Sequence, residues 1–140
     1  MTPLAIAAVL AGLIALATAL GLLWKAQNGR ARAQSGSESA ADLVADLGSH
    51  ATLLQFSTEV CSPCAAMSRV LDTVATGRDD VRHVELDLTR RPELATRFGI
   101  LQTPTTLVLD ANGRIRSRIG GAARPEVVLA QIARLSAATH

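Results

Sequence analysis

Hydrophobic positions along this chain fall into one unbroken block followed by several short periodic ones. Leu4 to Trp24 carries no charge and is almost wholly Leu, Ala, Ile and Val, broken by Gly12, Thr18 and Gly21. As a helix rising about 1.5 Å per residue it spans roughly 30 Å, the hydrocarbon thickness of a bilayer. A cleaved signal sequence wants a basic start, a shorter apolar core and a small-residue site close behind it. Only Met1-Thr2-Pro3 precede the block, and a polar spacer separates it from Ala31-Arg32-Ala33. The pattern is that of an uncleaved transmembrane anchor over 4–24, with Trp24 at the interface.

Residues 25–36 are small and polar and predict a flexible linker. Ser39-Ala40-Ala41-Asp42 then resembles a capping-box start, with Ala40, Leu43, Val44 and Leu47 on one face before Gly48. Residues 52–57 read as a buried strand. Met67, Val70, Leu71 and Val74 recur at i, i+3, i+4, i+7, which predicts a helix over 62–76 ending at Gly77. Val84, Leu86 and Leu88 alternate with His83, Glu85 and Asp87, a half-buried strand. Pro92 to Phe98 predicts a short helix, and Thr105 to Leu109 a strand leading to a hairpin turn at Asp110-Ala111-Asn112-Gly113. Ile115, Ser117 and Ile119 face one way along the next strand, opposite Arg114, Arg116 and Arg118, and a last helix starts at Pro125. The order α-β-α-β-α-β-β-α predicts an α/β domain, a mixed sheet covered by helices.

Candidate chemistry lies in Cys61-Ser62-Pro63-Cys64, which holds both cysteines of the chain. Two thiols so spaced can close a small disulfide. A helix starting at the first sulfur favours its thiolate, and Pro63 fits the first turn because its missing N–H costs nothing there. Half of a zinc site is the competing reading. Tetrahedral zinc wants four ligands, and only His50, His83 and His140 remain, at no fingertip spacing, so no metal is expected.

Charge narrows the partners. Of 14 Lys and Arg, Lys25, Arg30 and Arg32 follow the apolar block; from Gln34 onward 11 basic residues meet 12 acidic ones. With no basic stripe and only two Phe, one Trp and no Tyr, nucleic acid is not an expected partner. No Lys or Arg precedes the block, so the positive-inside rule places the domain in the cytoplasm. A tethered thiol protein would more obviously serve an oxidising exterior, and a single CxxC fits either compartment. Arg114, Arg116 and Arg118 read as charges that keep an edge strand from pairing with other chains.

Strand, CxxC, helix and a downstream Thr103-Pro104 before the hairpin together resemble the thioredoxin fold, over residues 37–136. The run Pro104 to Gly113 is similar in particular to the membrane-tethered TlpA-like thiol-disulfide oxidoreductases. The usual first strand of a full thioredoxin is missing, which leaves strand 81–87 as a sheet edge unless the linker covers it. The resemblance implies that Cys61 is the exposed nucleophile and Cys64 the buried resolving thiol. It further implies a cis Pro104 against the disulfide, a Thr103 backbone that pairs with an extended substrate, and a Gly120 that lets substrate approach.

Ser62 and Pro63 complete the motif, and the redox-active disulfide serves in place of any cofactor. Val60 and Ser57 stand where the family commonly has Trp, and Gln55 stands where thioredoxin has a buried acid. His83 aligns with the usual Lys partner of that acid. With the acid gone, His83 is the expected base for the resolving thiol. The implied activity is disulfide exchange with protein substrates, as a reductase supplied by an upstream electron donor. The competing class is a redox-sensing adaptor tethered to the membrane, without turnover.

Overall fold

The charge-free block forms α1, Pro3–Gln27, in which no residue is buried. It is long and apolar enough to cross a membrane. It runs three residues past Trp24, and Lys25 in its last turn meets the negative end of the helix dipole. The computed structural model describes residues 2–34 and 37–137; Ser35 and Gly36, within the expected linker, lie outside the described residues.

Five strands and three further helices follow: β1 Ala31–Ala33, β2 Ala51–Ser57, α2 Ser62–Thr76, β3 Val81–Asp87, α3 Glu93–Arg97, β4 Thr105–Asp110, β5 Ile115–Gly120 and α4 Pro125–Ala137. They build one sheet in the order β1-β5-β4-β2-β3. β2 and β3 are parallel, and every other neighbouring pair is antiparallel. β2 is central, with all seven residues buried, which is why its sequence shows an apolar run instead of an alternation.

Two apolar layers sandwich the sheet. Leu53, Val108 and Ile119 pack with Met67 and Leu71 of α2 and Val128 and Ile132 of α4. On the other face Leu54, Phe56, Leu107 and Leu109 pack with Leu94 and Phe98, and the Phe56 and Phe98 rings stand 5.7 Å apart. The helical periodicity is met: Cys64, Met67, Leu71 and Val74 are the buried residues of α2.

Four expectations change. The stretch 25–36 carries structure: Lys25–Gln27 close α1, and Ala31–Ala33 pair antiparallel with β5 from Ile119 to Ser117. Gly29 N–H also donates to Gly120 O at 2.6 Å and Gln34 N–H to Arg116 O at 2.9 Å, so the stretch is bonded along β5. It covers that edge and leaves β3 as the opposite edge of the sheet.

The helix expected from Ser39 shrinks to a single 3-10 turn, Ala41–Leu43. Backbone bonds from Ile115 N–H to Glu38 O (2.9 Å) and from Ala40 N–H to Gly113 O (3.0 Å) hold 38–40 extended beside the β4–β5 turn. Gly113 permits this approach: at φ +76°, an added Cβ would meet Ala41 Cα at 2.8 Å.

The third change concerns β5. A bulge opposite Val108/Leu109 sends Ile115 to the Phe56 layer and Ile119 to the Leu53 layer, so they do not share a face. Finally, α3 covers only Glu93–Arg97, with Pro92 and Phe98 flanking it.

Candidate active site

β2 delivers the chain to a short loop, and α2 starts directly after Cys61, whose extended backbone (φ −143°, ψ 91°) makes it the N-cap. Cys61 and Cys64 are joined as a disulfide across a Cα–Cα distance of 5.3 Å. The two sulfur-bearing residues are not equivalent. Cys64 is 4% exposed and sits on the buried stripe of α2, whereas Cys61 is half-buried at the surface. Cys61 is therefore the more accessible of the two. No acidic residue occupies the first turn of α2, so its unpaired N–H groups stabilise negative charge on the Cys61 sulfur. Ser62 and Pro63 form that first turn and are exposed.

Thr103-Pro104 is the cis peptide bond, as the resemblance implied. The loop around it is fixed on both sides: Thr105 Oγ1 donates to Gln102 O at 2.7 Å, and Gly121 N–H donates to Pro104 O at 2.7 Å. Thr103 approaches the CxxC loop through its hydroxyl, 3.4 Å from that of Thr58. Its own backbone N–H and C=O make no hydrogen bond among the described residues, as an edge for strand addition requires. Gly120 lies across from Thr105, where an added Cβ would fall 2.6 Å from Gln102 Nε2. Val60 and Leu101, each 97% exposed, add apolar surface beside Cys61 and near Thr103.

Behind the dithiol, Gln55 is fully buried and donates Nε2–H to Cys64 O at 3.0 Å. Because a peptide carbonyl only accepts, Gln55 presents Oε1 to its other partner, His83 Nε2, at 3.2 Å. His83 Nδ1 in turn lies 2.6 Å from Asp72 Oδ1. Both ring nitrogens therefore lie within hydrogen-bond reach of side-chain oxygens. The imidazole is 7% exposed and its carboxylate partner 64% exposed, so the chain Asp72–His83–Gln55–Cys64 runs from solvent to the buried cysteine. It ends on the peptide carbonyl of Cys64.

Two acidic partners of this region have no counterpart in the sequence-based expectations. One is Asp72. The other is Glu85, which accepts hydrogen bonds from Ser57 Oγ at 2.6 Å and Ser68 Oγ at 3.1 Å. The spacing did hold a signal for both. Ser68 and Asp72 follow Cys64 at i+4 and i+8 on α2, and His83 and Glu85 share one face of β3. Glu59, beside Cys61, has its backbone N–H bonded to Thr89 Oγ1 at 3.1 Å. Among the described residues no three His, Cys, Asp or Glu side chains converge as metal ligands would.

Residues 31–134 match the thioredoxin family. The chain is 33% identical over 81 residues to thioredoxin of Mycobacterium tuberculosis, an alignment spanning 57% of this chain and 69% of that protein. It is 30% identical over 69 residues to the SPbeta prophage-derived thioredoxin-like protein YosR of Bacillus subtilis, covering 49% of this chain and 80% of the relative. Mitochondrial thioredoxin 3 from Saccharomyces cerevisiae, in its oxidised form, superposes with a TM-score of 0.56 at 24% identity, over 66% of this chain and 84% of that one; this likeness concerns the fold alone. The matched residues contain the Cys61–Cys64 disulfide and the cis Thr103-Pro104 bond, and the chain belongs to the thioredoxin family as a thiol–disulfide oxidoreductase.

Proposed function

We propose that this protein is a membrane-tethered reductase of protein disulfides, of the TlpA-like kind. The observation that carries the reading is the unequal burial of the dithiol beside the unpaired Thr103 backbone. An extended substrate segment adds to that edge as a strand and presents its disulfide to Cys61. The Cys61 thiolate attacks one substrate sulfur, a mixed disulfide forms, and the departing substrate thiolate takes a proton from solvent. Cys64 then loses its proton and attacks the Cys61 sulfur, which releases the second substrate thiol. The substrate gains two electrons and two protons, and the protein is left with its Cys61–Cys64 disulfide. An upstream dithiol donor returns it to the reduced form.

His83 is the group assigned to the resolution step. It reaches Cys64 in two hydrogen bonds through Gln55, whose amide carries no proton across. To act as base, the ring must exchange Gln55 for a water that meets the Cys64 thiol. While the contact to Gln55 holds, His83 instead fixes the amide that clamps the Cys64 peptide.

In this reading α1 serves as the anchor, and the cations Lys25, Arg30 and Arg32 on its C-terminal side support a cytoplasmic domain. Trapping tests the function. Cys64→Ala expressed in native membranes should accumulate mixed disulfides with protein partners that vanish in the Cys61→Ser, Cys64→Ala double variant. Trapping no partner, or the same partners without Cys61, would count against it.

A further inference from the structure

We infer that Arg30, Arg32 and Arg118 form a carboxylate-binding subsite that selects substrates with an acidic residue close to the reacting cysteine. This inference rests on the disulfide-exchange reading and specifies its substrate.

Arg32 of β1 and Arg118 of β5 are directly opposite partners in an antiparallel pair. Like charges in that relation repel and weaken the pairing unless an anion lies between them. Arg30 lines the same cleft, of about 300 Å³, and no Asp or Glu is among its lining residues. Six other arginines, Arg78, Arg82, Arg90, Arg91, Arg97 and Arg116, each meet a carboxylate. Arg69, Arg114, Arg124 and Arg134 have no ion pair among the described residues but are not paired with another arginine across strands. Arg118 is held by neutral acceptors only, donating to Phe98 O at 2.7 Å and Gly99 O at 3.2 Å. Those carbonyls fix the guanidinium in place and leave its charge without a counter-ion. The strand pairing thus places Arg32 and Arg118 side by side with no ion pair to a described carboxylate, while Arg30 lies between this cleft and a neighbouring one that Glu126 lines.

The cleft's position identifies the occupant. It runs from Gln27 at the end of α1 to Gln102 and Thr105, which flank the cis Thr103-Pro104 bond, and to Gly120 across from Thr105. A substrate strand added at Thr103 continues into this space, where a Glu or Asp side chain meets two or three guanidinium groups as charge-assisted acceptor. An anionic lipid headgroup shares that chemistry, but a headgroup accounts only for the α1 end of the cleft.

The test uses the full-length reduced protein in phosphatidylcholine nanodiscs and two peptides joined through disulfides, identical except for Glu or Gln beside the cysteine. The rate constant for the Glu peptide should exceed that for the Gln peptide by about tenfold at low salt, and the ratio should shrink as salt rises. Arg30→Gln with Arg32→Gln, both at exposed positions, should bring the ratio close to one. Equal rates in the unmodified protein, or a ratio that survives the double substitution, overturn the subsite while leaving disulfide exchange standing. Failure to reduce either peptide overturns both. Arginine-dependent capture of phosphatidylserine discs, without any peptide preference, assigns the cleft to lipid and overturns the proposal.

Discussion

His83 Nε2 and Gln55 Oε1 meet at 3.2 Å, on the side of Gln55 opposite its bond to Cys64. An amide thus stands where thioredoxin has a carboxylate, between Cys64 and the imidazole, with Asp72 on the far side of the ring. His83→Ala should slow resolution of the mixed disulfide by about a hundredfold near pH 7, the lower end of the usual range for a general base. The deficit should narrow as pH rises and solvent takes the Cys64 proton unaided. Stopped-flow release of a fluorescent thiol across pH reads it. A deficit constant over pH would assign His83 to positioning alone, and no deficit would remove it from the step.

Gly120→Ala separates the substrate path from stability. Its added Cβ would press on Gln102 Nε2, the free end of an exposed side chain that can turn aside. The thermal midpoint should move by less than about 4 °C, since surface changes stay within roughly 0.5 kcal/mol. Reduction of protein disulfides should fall several-fold, while a small-molecule disulfide is reduced as before. Equal losses on both substrates would contradict a role for Gly120 in substrate approach.

Asp42 and Arg97 give the domain an acid-sensitive contact. Arg97 donates to both Asp42 oxygens, at 2.7 and 2.8 Å, and ties the 41–43 turn to α3. The Arg97 hydrogen bond holds the Asp42 carboxyl below its ordinary value of 3.8. A depressed folded-state value means that the contribution is present above that ordinary value and disappears as pH falls through the lower one. Asp42→Asn should therefore lower the thermal midpoint slightly at neutral pH, and the two proteins should converge in stronger acid. A difference independent of pH would contradict this assignment.

What the sequence made legible followed the reach of each interaction. α2 and β2 were readable because their burial repeats within the segment, at 3.6 and in a continuous run. The 39–47 stretch was not. Its apolar spacing suits a helix, yet its backbone partners are Gly113 and Ile115, some seventy residues onward. β1 was hidden because Ala-Arg-Ala has no pattern of its own and gains one only against Ser117 to Ile119. The alternation Ile115, Ser117, Ile119 concealed the bulge that splits it between two core layers. At the site, both cysteines were visible from the motif, and the cis Pro104 from the family resemblance. Asp72 and Glu85 were not singled out, because their partners come from other elements of the fold.

The most direct measurement of the central claim is turnover of a protein disulfide by the full-length protein with a dithiol donor in excess. The account predicts many substrate molecules reduced per protein, with activity abolished by Cys61→Ser and stalled at the mixed disulfide by Cys64→Ala. Oxidation of a single dithiol equivalent without further turnover would contradict it and identify a redox-sensing adaptor. Turnover that persists in Cys61→Ser would contradict the assignment of the nucleophile itself.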